Sequence, residues 1–180
     1  MTIQRTTQPT THRPIRLTAQ RVAAGWAFLF AAPHLLWAAG SQWGLRTALS
    51  ADVVDGGGGI LRLANLGIAL FCITGGLVAL ADGRLPRRLR LPLLWFGAVL
   101  LAGRAVDIYV EFGRALTGLN PIPADRREEF LHLSRWFLFG YLPWFALGAI
   151  VWTMLAVQVT RRRVGTCLPS RSWTTTSASR

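Results

Sequence analysis

The chain has 180 residues, 52% hydrophobic and only 16% charged, with a formal net charge of +12. Soluble domains carry about 25% charged residues, so the composition argues against an ordinary water-soluble enzyme. The positive charge comes from twenty arginines and no lysine, beside eight Trp and nine Phe, which describes an apolar chain rather than a nucleic-acid binder.

A helix that crosses a bilayer needs about 20 mostly apolar residues, because about 30 Å of hydrocarbon is traversed at about 1.5 Å per residue. Four segments meet this requirement: residues 22–39, 60–81, 91–112 and 131–159. Buried helices of a soluble protein would show a polar stripe at helical spacing, and residues 66–81 and 91–102 have none. The expected fold is therefore all-α, an integral membrane four-helix bundle over residues 22–159.

In chain order, residues 1–21 form a basic tail rich in Thr, Gln, Arg and Pro. It has too little apolar surface to offset its ordering entropy and is expected to be disordered. The first span follows this tail as a signal-peptide core would. Its apolar run exceeds the usual length of about 7 to 15 residues, however, and contains Pro33, His34 and Trp37, so it is read as a retained span. The next loop holds Gly56, Gly57, Gly58 and Gly59, read as a flexible hinge; a phosphate cradle would continue into Lys and Ser or Thr. After the third span, residues 120–123 form a turn, and Asp125 with Glu128 has the spacing of a capping box. The fourth span should thus begin as a helix at Asp125, outside the membrane. Residues 160–180 form a second disordered basic tail. Cys72 lies within a span and Cys167 in this tail, so no disulfide is expected, and without a C-x-x-C pair neither thiol redox chemistry nor a cysteine zinc site has support.

Arginine placement sets the orientation, because positive residues flanking spans are retained on the cytoplasmic side. The two tails and the loop after span two hold thirteen arginines, whereas the other two loops hold Arg46, Arg114, Arg126 and Arg127, diluted by five acids. Both termini are therefore expected in the cytoplasm. The basic segments would also attract anionic lipids at that face.

Ionisable groups at membrane depth are costly and mark either structural pairs or functional cavities. Arg104, Asp107 and Glu111 are spaced three and four apart, on one face of span three. His34 falls at similar depth, while Arg62 and Asn65 begin span two and His132 and Arg135 begin span four. All eight residues are thus expected in the outer half. They read in two ways: an ion-pair network, Arg104 with Asp107 and Arg62 or Arg135 with Glu111, or the lining of a cavity for a polar headgroup, ion or proton. Haem ligation by His34 and His132 is disfavoured because the two lie at different depths. Small residues at Ala23, Ala27 and Ala31, at Gly75 and Ala79, and at Ala98 and Ala102 read as packing seams. Trp26, Trp37, Trp43, Trp95, Trp136, Trp144 and Trp152 read mostly as interfacial anchors.

The stretch from His34 through Trp37, Gly40 and Trp43 to Leu45, with Arg104 to Asp107 and with Tyr141, Pro143 and Trp144, resembles a family of short four-span bacterial membrane proteins classed as a domain of unknown function. The resemblance covers residues 22–158 and implies a four-helix membrane fold, with no activity attached. An acid often stands about four positions before the tyrosine in that family, where this chain has Phe137.

These readings favour a multi-pass protein of the bacterial cytoplasmic membrane. Its polar cluster would bind a lipid headgroup or small amphiphile without catalysis, or dock a partner subunit. One alternative is an oligomeric transporter using Asp107 and Glu111 as a proton or cation relay. Another is an intramembrane enzyme with His34 and Asp107 as acid and base. No catalytic residue, metal ligand or cofactor is assigned. The expected partners are the bilayer and a membrane protein or second copy of the chain, with no nucleic acid.

Overall fold

The computed structural model describes residues 12–161 apart from 83, 120, 121 and 123, with side chains from residue 18 onward. The expected tails over residues 1–11 and 162–180 lie outside these described residues. The described part is helical throughout, without a strand. Helix α1 spans His12–Ala38, α2 Ala51–Gly56, α3 Gly58–Leu80, α4 Arg87–Leu116, α5 Arg127–Trp136 and α6 Leu142–Arg161. A five-residue π-helical turn, Phe137–Tyr141, joins α5 to α6.

Three stretches are long and apolar enough to cross a membrane: α3, α4 and the helical run Ala124–Arg161. Helix α1 has 27 residues, but Pro33, His34 and the polar residues before Val22 dilute its apolar character, and it is not one of the three. It already begins at His12, ten residues before the expected start of the first span.

Two hairpins organise the chain. Helix α1 packs along α3 and α4 along α6; α1 also meets α6, whereas α3 and α4 approach one another far less. The main core lies toward the end that carries the short 81–86 loop, built from Ala23, Ala27, Leu94, Ala98, Trp152 and Leu155. Ala23, Ala27 and Ala31 are buried, so the first small-residue seam is a close helix contact, while Ala102 is exposed. Trp26 and Trp152 are buried core residues and not interfacial anchors. Each lies against glycine: a Cβ on Gly148 would come within 2.5 Å of the Trp26 ring, and one on Gly97 within 2.7 Å of Trp152.

Arginines close the short-loop end. The buried Arg90 guanidinium donates to the carbonyls of Val78 at 3.3 Å and Ala79 at 2.8 Å, and to Asp82 at 3.1 Å. Arg87 donates to the carbonyls of Val159 at 3.2 Å and Thr160 at 3.0 Å. Helices leave their last carbonyls without internal partners, so two residues from the start of α4 satisfy the ends of α3 and α6.

At the opposite end, where the long loop of residues 39–57 joins α1 to α3 by way of α2, Glu129 accepts a bond from the Ala51 amide at 2.7 Å, capping α2 from a distant segment. Asp52 lies 3.6 Å from Arg126. The expected capping box is not formed: Asp125 falls within a 3-10 turn, Ala124–Arg126, and Arg126 precedes α5 without a side-chain capping bond. The glycine run is a tight joint and not a hinge. Gly56 ends α2, Gly58 enters α3 at a φ of +38°, and a Cβ on Gly57 would lie 2.5 Å from the Val53 carbonyl oxygen.

Candidate functional site between the two hairpins

Where the hairpins diverge they leave a cleft of about 1410 Å³. An aromatic file on α1 forms one wall. Trp26, Phe30, His34 and Trp37 recur at helical spacing, with consecutive ring centroids 5.4, 5.0 and 5.0 Å apart. The file continues onto α6, where Trp144 stacks on Trp26 at 5.6 Å and Phe145 meets Phe30 edge-on at 5.3 Å. The α3 wall is made mostly of small and aliphatic residues, among them Gly67 and Ile68, with Phe71 as its one ring, and the α4 wall includes Leu93, Phe96 and Leu100.

Polar groups are few and placed mainly toward the long-loop end. His34 Nδ1 lies 2.8 Å from Asn65 Oδ1, and Asn65 Nδ2 donates to the Leu61 carbonyl at 2.8 Å. The second bond fixes the amide's direction. Its oxygen must then face the imidazole, and because a carbonyl oxygen only accepts, Nδ1 is the protonated nitrogen. Neutral His34 therefore keeps Nε2 as an acceptor. Opposite, Arg104 lines the cleft, pairs with Asp107 one helical turn on, and stands with Cζ 5.9 Å above the ring of Phe137. Thus Phe137, where the resemblance leads one to expect an acid, meets the guanidinium with its π face.

The eight sequence-selected residues divide. His34 and Arg104 line the cleft, buttressed by Asn65 and Asp107 respectively. Arg62 is exposed and its guanidinium lies against Gly40 at the end of α1. Glu111, His132 and Arg135 are exposed and contribute nothing to the lining. Among the described residues, neither Arg62 nor Arg135 pairs with Glu111.

Two features escaped the sequence reading. Tyr141 shares a hydrogen bond of 3.0 Å with Thr47, linking the π-helical turn to the long loop at the cleft's edge. Tyr141 ends the π-helical turn, a distortion frequent at functional sites that re-aims side chains; Gly140 was its only local signal. The aromatic file left a helical spacing of four, four and three residues on α1, but its tryptophans also satisfy the rule for membrane anchors and read as such in the sequence.

The sequence profile of the family described as "Protein of unknown function (DUF3995)" matches residues 27–152. The chain belongs to that family. The matched DUF3995 region runs from Ala27 to Trp152 and so contains every cleft-lining residue except Trp26. No curated protein and no solved structure matches the chain.

Proposed function

We propose that this protein holds an amphiphile, a lipid or similarly two-ended molecule, in the cleft without transforming it chemically. The observation that carries the reading is a volume of about 1410 Å³, walled by aliphatic and aromatic side chains, with His34, Thr47, Arg104 and Tyr141 toward one end. Ordinary small-molecule pockets occupy about 300–1,000 Å³, so a long apolar chain suits this space better than a compact metabolite.

The reading places four helices across the bacterial cytoplasmic membrane. Helix α1 packs along α3, so a bilayer that contains α3 must also accommodate α1. With thirteen arginines in the tails and the 81–90 segment, the short-loop end and both termini face the cytoplasm. The polar cluster then sits in the outer half. Toward the cytoplasm the cleft meets Trp152, which belongs to a core with Leu94, Ala98 and Leu155, and an apolar end of this kind favours holding a ligand over passing it through. Asp107 is engaged by Arg104 and lies outside the lining, which gives no support to an acid–base pair with His34.

Native mass spectrometry of the full chain in mild detergent tests the proposal. A retained amphiphile is expected, with its occupancy lowered by His34→Ala. A ligand-free protein, whose thermal stability no added lipid changes, would overturn it.

A further inference from the structure

Resting on that reading of the cleft, we infer that its occupant is a zwitterionic glycerophospholipid with a primary-amine head. It is taken sideways from the bilayer between α3 and α4, with its phosphate on Arg104 at the cleft's wall and its ammonium reaching past the lining to Asp107, one helical turn on.

The direction of entry follows from where the walls are open. Ile68 and Phe71 on α3, and Leu93, Phe96 and Leu100 on α4, line the cleft yet remain 41–56% exposed. The sides formed by α1 with α3 and by α4 with α6 are packed shut. The aromatic contacts of Trp26 and Phe30 with Trp144 and Phe145 close the space between α1 and α6. Trp43, Gly44 and Thr47 of the long loop cover its end. What remains open is the flank between α3 and α4 on the long-loop side of Phe71 and Phe96, whose rings meet edge-on at 6.2 Å; that stretch, beside Gly67, Ile68 and Leu100, faces hydrocarbon when these helices cross a membrane. An acyl chain passing through that flank stays in apolar surroundings throughout.

The head is specified by charge. Arg104 and Asp107 form an ion pair whose side chains keep 42% and 57% of their exposure, so both retain free hydrogen-bonding capacity. The pair is neutral. An anionic head would gain the guanidinium but bring its charge against the carboxylate, and an uncharged head would gain neither partner. A head bearing both charges matches both groups at once. Between amine types the carboxylate decides: a primary ammonium offers three donors, whereas a quaternary one offers none and relies on aromatic faces. Phe137, the ring beside this pair, already faces Arg104.

The test presents the purified full chain in detergent with equimolar phosphatidylethanolamine, phosphatidylglycerol and phosphatidylcholine of identical chains, and reads bound masses by native mass spectrometry. Phosphatidylethanolamine should exceed each competitor by about tenfold, the worth of one charge-assisted hydrogen bond. Asp107→Asn should abolish that preference while lipid is still bound. Gly67→Phe should reduce all lipid binding, because a Cβ there meets nothing within 4 Å and the ring enters the cleft. Gly25→Phe, in open space on α1 and away from both the lining and the Arg104–Asp107 pair, should leave it unchanged. Preferential retention of phosphatidylglycerol, or an undiminished phosphatidylethanolamine preference in Asp107→Asn, overturns the inference while the cleft reading stands. Binding that survives Gly67→Phe overturns the lateral path, and binding of no lipid at all removes both proposals.

Discussion

Asn65 shows how one buried amide can organise a site. It is 4% exposed and serves two partners at once, accepting from His34 and donating to its own helix at Leu61. Removing it leaves the imidazole N–H without a partner, and hydrogen bonds between membrane helices are worth about 0.6 to 2 kcal/mol. Asn65→Ala should therefore lower the unfolding free energy in detergent by about 1 kcal/mol. In a double-mutant cycle, His34→Ala should cost less in the Asn65→Ala background than in the native one. Strictly additive losses would mean that the two side chains do not depend on each other.

Helix packing here depends on where glycine meets tryptophan. The Trp26 ring fills the space that a side chain at Gly148 would need, and overpacking a close contact costs about 1–3 kcal/mol. Gly148→Ala should lower the unfolding free energy by that order, whereas Gly103→Ala, with nothing within 4 Å of the new Cβ, should be neutral or slightly stabilising. Equal effects at the two positions would show that the α1–α6 contact is looser than described. Helix ends make a comparable demand on Arg90. Its fork serves three acceptors that belong to α3 or follow it, and a lysine ammonium cannot reproduce that geometry. Arg90→Lys should keep the orientation of the chain, since the charge remains, but destabilise it by about 1–2 kcal/mol in a denaturation series. A silent substitution would leave Arg90 with only its charge to contribute.

The long apolar helices were legible because their signal is local: residues 60–81 and 91–112 were expected, and Gly58–Leu80 and Arg87–Leu116 are found. The part of the site carried by one helix, Arg104 with Asp107, was equally visible from a three-residue spacing. Contacts across helices were not. Trp26 and Trp152 obey the rule for interfacial anchors in sequence, and only the glycines of other helices turn them into core. Likewise Arg87 and Arg90 read as charge markers, and their second role needs the ends of α3 and α6 to be near. Glu111, Arg62 and Arg135 share a depth in sequence, but depth does not fix the direction in which a helix faces, and these three are exposed and take no part in the cleft's lining.

On the scale of the whole molecule, one end is strongly basic and the other nearly balanced, and the cleft lies toward the balanced end. The proposed ligand site is accessible from the outer leaflet only if the basic end stays in the cytoplasm. The chain carries its own reporter of this orientation, since Cys167 lies in the C-terminal basic segment, beyond the described residues. In a Cys72→Ser background, a membrane-impermeant maleimide added to intact cells should leave Cys167 unmodified and react with it only after permeabilisation. A cysteine introduced as Thr117→Cys, at the exposed end of α4, should react without permeabilisation. The two positions should answer oppositely, because one stretch long and apolar enough to cross a membrane, Ala124–Arg161, lies between Thr117 and Cys167 among the described residues. Modification of Cys167 in intact cells would invert the topology and place the cleft's polar end in the inner leaflet, where the same lipid would have to be drawn from the cytoplasmic face.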